Sequence, residues 1–183
     1  GTISYQWTAD NVAIAGVTGN TLVLGQAQVG KVIRAVASYT DQLGTPEAVT
    51  SSATAAVVNV NDAPVGSVTI TGVATQYQTL TASNNLTDVD GLGTISYQWK
   101  ANGVNIAGAT TSTLTLGQAQ VGKAITVAAS YTDQLNTAES VTSSATTSVL
   151  NVNDAPTGSV TITGVSSIGQ TLAVSNTLAD IDG

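Results

Sequence analysis

Gly93-Thr94-Ile95-Ser96-Tyr97-Gln98-Trp99 alternates apolar and polar residues, and it repeats Gly1-Thr2-Ile3-Ser4-Tyr5-Gln6-Trp7 letter for letter. Side chains two apart in a strand share a face, so Ile95, Tyr97 and Trp99 are expected inside and Ser96 and Gln98 outside. The same offset, 92 residues, relates Asn59-Val60-Asn61-Asp62-Ala63-Pro64 to Asn151-Val152-Asn153-Asp154-Ala155-Pro156. Aligned by it, roughly two thirds of positions are identical, so the chain is an internal repeat. A period of this length is too long for a solenoid turn and suits one sandwich domain. With the Asn-Asp-Ala-Pro stretch as boundary, the expected division is three parts. Residues 1–62 carry the later strands of one repeat, 63–154 form a complete repeat, and 155–183 supply the first two strands of another. The whole reads as a slice through a longer protein.

Working outward from Trp99, further strands are expected at 67–71, 78–83, 104–106, 112–116, 124–131 and 140–149. Asn102-Gly103 is a two-residue hairpin signal, and Gln118–Lys123 should turn. In the strand over 124–131, Ile125, Val127, Ala129 and Tyr131 share a face. Seven or so short strands, a Trp on the third and a Tyr near the end of the sixth describe an all-β immunoglobulin-like Greek-key sandwich. No cysteine pair staples it, so Ala and Val must pack around Trp99 instead.

Composition agrees and excludes much else. Val, Ile, Leu, Ala, Thr and Ser dominate the 183 residues, without Phe, Met or Cys, which is a strand-forming palette. Only 8% of residues are charged, so hydroxyl groups must do much of the solubilising. Four basic residues against eleven acidic ones, net −7, leave no footprint for nucleic acid and repel anionic membrane surfaces. No apolar run is long enough to span a bilayer. Zero His and zero Cys remove the usual general base, thiolate chemistry and most transition-metal sites, so an enzyme is not expected.

The pattern of Tyr97-Gln98-Trp99, Ile106-Ala107-Gly108-Ala109-Thr110, Thr113-Leu114-Thr115-Leu116, Val121-Gly122-Lys123 and Ser130-Tyr131-Thr132-Asp133, bounded by Asn-Val-Asn-Asp-Ala-Pro, resembles the tandem immunoglobulin-like and cadherin-like repeats of very large bacterial surface proteins. Many of these are RTX-type adhesins exported by type I secretion. The resemblance covers essentially the whole chain, although the Gly-Gly-x-Gly-x-Asp nonapeptide of their secretion regions is absent from it.

Strand direction brings the loop around Asp88-Val89-Asp90-Gly91, the loop after Asp133 and the incoming segment with Asp62 to one end of the complete repeat. Four carboxylates so placed would repel one another without a cation. Oxygen ligands with no His or Cys point to Ca²⁺. The resemblance implies the same metal, through Asp-x-Asp-Gly loops and the Asn-Asp-Ala-Pro junction, which adds Asn61. Asp41, Asp154, Asp180 and Asp182 occupy the matching places in the other copies, and Glu47 and Glu139 are weaker candidates. Each Asp taken singly is equally a turn residue that bonds its own backbone.

Trp7 and Trp99 could stack on sugars, but their alternation with Ile and Tyr favours core packing. Asp88 and Asp90 sit on one loop rather than across a cleft, unlike a glycosidase pair. Tyr77, which is Gly169 in the other copy, reads as an exposed tolerant position. The expected role is therefore an extracellular or cell-surface extender. Calcium at its joints would make it rigid, neighbouring repeats of the same chain would be its partners, and any host or surface ligand would bind elsewhere in the full protein. The alternative is a module that itself binds carbohydrate or another cell surface. Residues 1–58 lack the first two sandwich strands and 157–183 carry them unpartnered, so one copy's tail is expected to complete another's head.

Overall fold

The computed structural model describes residues 1–182, which contain β-strands, two short 3₁₀ turns and no α-helix. The chain divides into two compact units, Gly1–Asn61 and the residues from Asp62 onward.

In the first unit, β1 (Ser4–Ala9), β2 (Val12–Ala13), β3 (Ile33–Thr40) and β4 (Pro46–Thr50) form one antiparallel sheet in the order β2-β1-β3-β4. A single sheet leaves one apolar face without cover, and of its hydrophobic residues only Ala9 and Ile33 are buried.

The second unit holds β5 (Val68–Thr71), β6 (Thr79–Asn84), β7 (Ser96–Ala101), β8 (Val104–Asn105), β9 (Thr113–Thr115), β10 (Ile125–Thr132), β11 (Ala138–Thr142), β12 (Val160–Thr163) and β13 (Ala173–Asn176). They form antiparallel sheets ordered β5-β6-β9 and β11-β10-β7-β8, and a separate hairpin β12-β13. The first two sheets share one core, in which Val68, Leu80 and Ala82 from one meet Trp99, Ile125, Val127 and Ala129 from the other. Two apolar faces closed on each other are what a β-sandwich requires.

Alternation explains the inward set. Ile125, Val127 and Ala129 on β10 have no exposed surface, and Tyr131 keeps 5%. Burying an aliphatic side chain of this kind contributes about 1.5–3 kcal/mol. Trp99 is also fully enclosed, and its Nε1–H donates to the Thr111 carbonyl at 2.9 Å, so the ring enters the core without an unpaired donor. Opposite faces carry hydroxyls that bond across strands, as in Thr69–Ser83 at 2.8 Å and Ser130–Ser140 at 3.0 Å. Asn102 and Gly103 both have positive φ, 47° and 81°, which matches the right-handed twist of the β7–β8 hairpin.

One strand differs from expectation. The sequence predicts a single strand over 140–149, yet β11 starts at Ala138 and stops at Thr142. Beyond it the ladder is interrupted by hydroxyls. Ser143 Oγ accepts the Val127 N–H at 3.0 Å and Thr146 Oγ1 accepts the Ile125 N–H at 3.0 Å, where a strand would offer carbonyls. Half of the ladder persists there, the Ser143 and Thr146 N–H groups donating to the Val127 and Ile125 carbonyls at 2.9 Å, and the next bridge is at Val149, parallel to Val121.

Candidate functional site

The acidic end of the complete repeat is built on three segments. The loop between β6 and β7 contains Asp88, whose Oδ1 accepts the Asp90 N–H at 2.8 Å, a local turn that any Asp can make. Gly91 follows at φ 97°, where a Cβ would come within 2.5 Å of the Gln134 side chain. Gly93 is needed for a different reason, because a Cβ there would lie 2.0 Å from the Thr132 carbonyl oxygen. Glycine therefore lets this loop lie directly against the β10–β11 loop, and Gln134 N–H donates to the Asp90 carbonyl at 3.2 Å.

Asp90 is buried, with 6% of its surface exposed, and its Oδ2 accepts the backbone N–H of Asp62 at 2.5 Å. A charged acceptor on a backbone donor is among the stronger hydrogen bonds. The segment entering the repeat is thus held through its main chain, while the Asp62 side chain is exposed. Asn61 is exposed as well. Asp88 uses its second oxygen, Oδ2, to accept the Tyr131 hydroxyl. Burial, and then this hydrogen bond to Asp88, push the Tyr131 phenol above its ordinary value. The alternation pattern placed Tyr131 in the core; that its hydroxyl reaches the acidic loop is decided by its place at the end of β10.

Asp133 closes the β10–β11 loop by accepting the Thr137 N–H at 2.7 Å through Oδ1. It is 5% exposed, and its Oδ2 is buried and makes no hydrogen bond among the described residues. Asp41 closes the matching loop of the first unit, with Leu43 and Thr45 N–H each donating to its Oδ1 at 2.8 Å. Glu47 and Glu139 lie on β4 and β11 as the cross-strand partners of Tyr39 and Tyr131.

The same arrangement recurs at the next junction. Asp182 Oδ2 accepts the Asp154 N–H at 2.6 Å and Asp180 Oδ1 accepts the Asp182 N–H at 2.9 Å. Asn151 Nδ2–H adds a bond to Asp182 Oδ1 at 2.7 Å, and this bond, followed by the one from the Asp154 amide, holds the Asp182 carboxyl below its ordinary value.

This junction has further partners that the sequence did not announce. Gln76, only 1% exposed, donates through Nε2 to Gln118 Oε1 at 2.7 Å and Asp154 Oδ2 at 3.1 Å, and its Oε1 accepts the Val152 N–H at 2.9 Å. Tyr77 donates its hydroxyl to Asp154 Oδ1, so it is exposed but not idle, contrary to the expectation of a merely tolerant position. That bond raises the Tyr77 phenol above its ordinary value, with burial and the nearby carboxylates adding to it. Tyr77 has φ 67° and Gly169 in the other copy has φ 84°, so a left-handed turn is the shared feature, and glycine its obvious occupant.

The fit of a metal is decided by these same contacts. Among the described residues, no three acidic side chains are grouped so as to hold a metal ion. Asp88 and Asp90 already act as acceptors for their own chain. The donor set is all oxygen, as calcium prefers, and the unpartnered Oδ2 of Asp133 is the feature that favours a cation. The buried Trp99 is unavailable for stacking on a ligand. Among the described residues no helix is long and apolar enough to cross a membrane. Comparison with family models, with curated proteins and with solved structures gave no match.

Proposed function

We propose that the chain is a structural extender, a run of tandem immunoglobulin-like sandwiches in a surface-exposed or secreted bacterial adhesin that places a binding region far from its anchor. The observation that carries this reading is the junction clamp made twice, Asp90 on the Asp62 amide at 2.5 Å and Asp182 on the Asp154 amide at 2.6 Å. A protein whose working part were a loop would gain nothing from fixing the main chain between repeats the same way each time. An extender depends on it, because the segment that enters each repeat is anchored there.

A calcium ion at the joint is the second reading, favoured by the buried Oδ2 of Asp133. Asp133 would hold it, and Asp62, Asp88 and Asp90, which are not grouped around one point in this structure, would have to draw in toward it on binding.

One experiment separates the two. Thermal unfolding of the whole chain is followed with calcium and with chelator, for the parent, Asp90→Ala and Asp133→Asn. If the clamp alone holds the joint, Asp90→Ala lowers stability by about 1–3 kcal/mol with or without calcium. Asp133→Asn, which removes a buried charge, is then neutral or stabilising. If calcium is bound, the parent gains stability from it and both variants lose that gain. An Asp90→Ala chain as stable as the parent in both conditions sinks the extender joint itself.

A further inference from the structure

We propose that the turn at Gln76-Tyr77 is a latch for the segment leaving the complete repeat, and that Asp154 is the relay through which this latch steadies the loop that follows. The inference rests on the extender reading for its purpose, and its contacts are separate from the Asp90 bond on Asp62.

The latch begins with backbone. Leu150 donates its N–H to the Ala74 carbonyl at 2.9 Å, and its own carbonyl accepts the Gln76 N–H at 2.9 Å, so the departing segment lies alongside the turn. The Gln76 side chain continues where this main-chain pairing stops. Its Oε1 accepts the Val152 N–H at 2.9 Å, and its Nε2 donates to Asp154 Oδ2 at 3.1 Å and to Gln118 Oε1 at 2.7 Å. Two donors and one acceptor are thereby used, as a residue only 1% exposed requires. Two of the three partners belong to the departing segment. Releasing that segment would strand a buried carboxamide, so the latch holds or opens as a unit.

The turn itself does not need these side chains. In the next copy Ile168 and Gly169 stand in their places, and neither has a side-chain donor. That turn closes with the same bond, Gln170 N–H on the Ser167 carbonyl at 3.1 Å, as Gln78 N–H on the Thr75 carbonyl at 3.1 Å. The left-handed residue is also kept, at φ 67° in Tyr77 and 84° in Gly169. A tyrosine adopts that conformation at a cost, and its hydroxyl bond to Asp154 Oδ1 is what sets it apart from glycine there.

Asp154 is held from two sides. Its carboxylate takes Tyr77 and Gln76 of the preceding sandwich, while its N–H donates to Asp182 Oδ2 at 2.6 Å in the loop beyond β13. Asn151 Nδ2–H, from the same departing segment, reaches the other oxygen of Asp182 at 2.7 Å. A residue fixed at both its side chain and its main chain cannot turn to relax one contact without straining the other. The two sets of bonds reinforce each other.

The test is amide hydrogen exchange on the full chain in the presence of chelator. The variants are Gln76→Ile, Tyr77→Phe, Asp182→Ala and the double variant of the last two. Gln76→Ile should lower protection of the Val152 amide about tenfold or more. Tyr77→Phe should lower protection of the Asp154 amide, although the acceptor of that amide is untouched. In the double variant the loss at Asp154 should be smaller than the product of the two single losses. The amides of Val127 and Ala129 in β10 should keep their protection throughout. An Asp154 amide as protected in Tyr77→Phe as in the parent overturns the relay, and so do losses that simply multiply in the double variant. Loss at Val127 and Ala129 equal to that at Val152 overturns the latch, because Gln76 and Tyr77 would then serve the sandwich and not the segment. Neither failure touches the Asp90 bond, which Asp90→Ala tests by itself.

Discussion

At the scale of single residues, the copies of the repeat serve as each other's controls. Asp10 stands where the second copy has Asn102, and both use Oδ1 to accept a backbone N–H, from Val32 at 3.0 Å and from Ala124 at 2.9 Å. The position needs a short side chain with an acceptor and a tolerance for positive φ, 45° and 47°, and it does not need charge. Asn102→Asp should therefore change stability by less than about 0.5 kcal/mol in urea unfolding.

Gly91 is the opposite case. At φ 97° and with Gln134 in the way, Gly91→Ala should cost more than about 1 kcal/mol by the same measurement.

Tyr131 titrates above its ordinary value of 10.0, so its contribution is complete below pH 10. Above that pH the unfolded chain loses the phenolic proton first, and stability should fall until the folded phenol also ionises. Tyr131→Phe should shrink this alkaline limb to the part that Tyr77 contributes, while keeping the ring in the core. An alkaline limb unchanged in the variant would assign it to other groups. Asp182 has the opposite sign. Its contribution is present above its ordinary 3.8 and is lost as pH falls through its lower folded value, which an NMR titration of the Asp154 amide should report.

At the scale of elements, the alternation of β7 and β10 was legible because period two is a local property. Trp99, Ile125 and Val127 lie inside as their spacing requires. Trp99→Ala should cost about 3–5 kcal/mol in chemical unfolding, since the ring is wholly enclosed. Trp7 is only half-buried, and Trp7→Ala should cost clearly less in dilute solution. The end of β11 was not legible, because Ser143 and Thr146 look like ordinary strand residues. That their hydroxyls replace carbonyls opposite Val127 and Ile125 depends on register, which no local pattern specifies.

At the scale of the whole molecule, burial is unequal. The second unit holds the extended core and the first holds only a covered Ala9 and Ile33. Hydrogen exchange of dilute chain should therefore show fast exchange across β1, β3 and β4 and slow exchange across β7 and β10.

By itself the sequence determined the repeat of 92 residues, the strand-forming character, the inward faces and the acidic loops, because each is written in spacing and residue type. Only the tertiary structure decided what those acids touch. Asp90 meets the Asp62 amide, Tyr131 meets Asp88, and Gln76 reaches Asp154 across 78 residues of chain. It also decided that Thr21-Leu22-Val23 is not a strand while Thr113-Leu114-Thr115 is. A strand is completed by its neighbour, and which distant segment lies beside it is not written in local spacing.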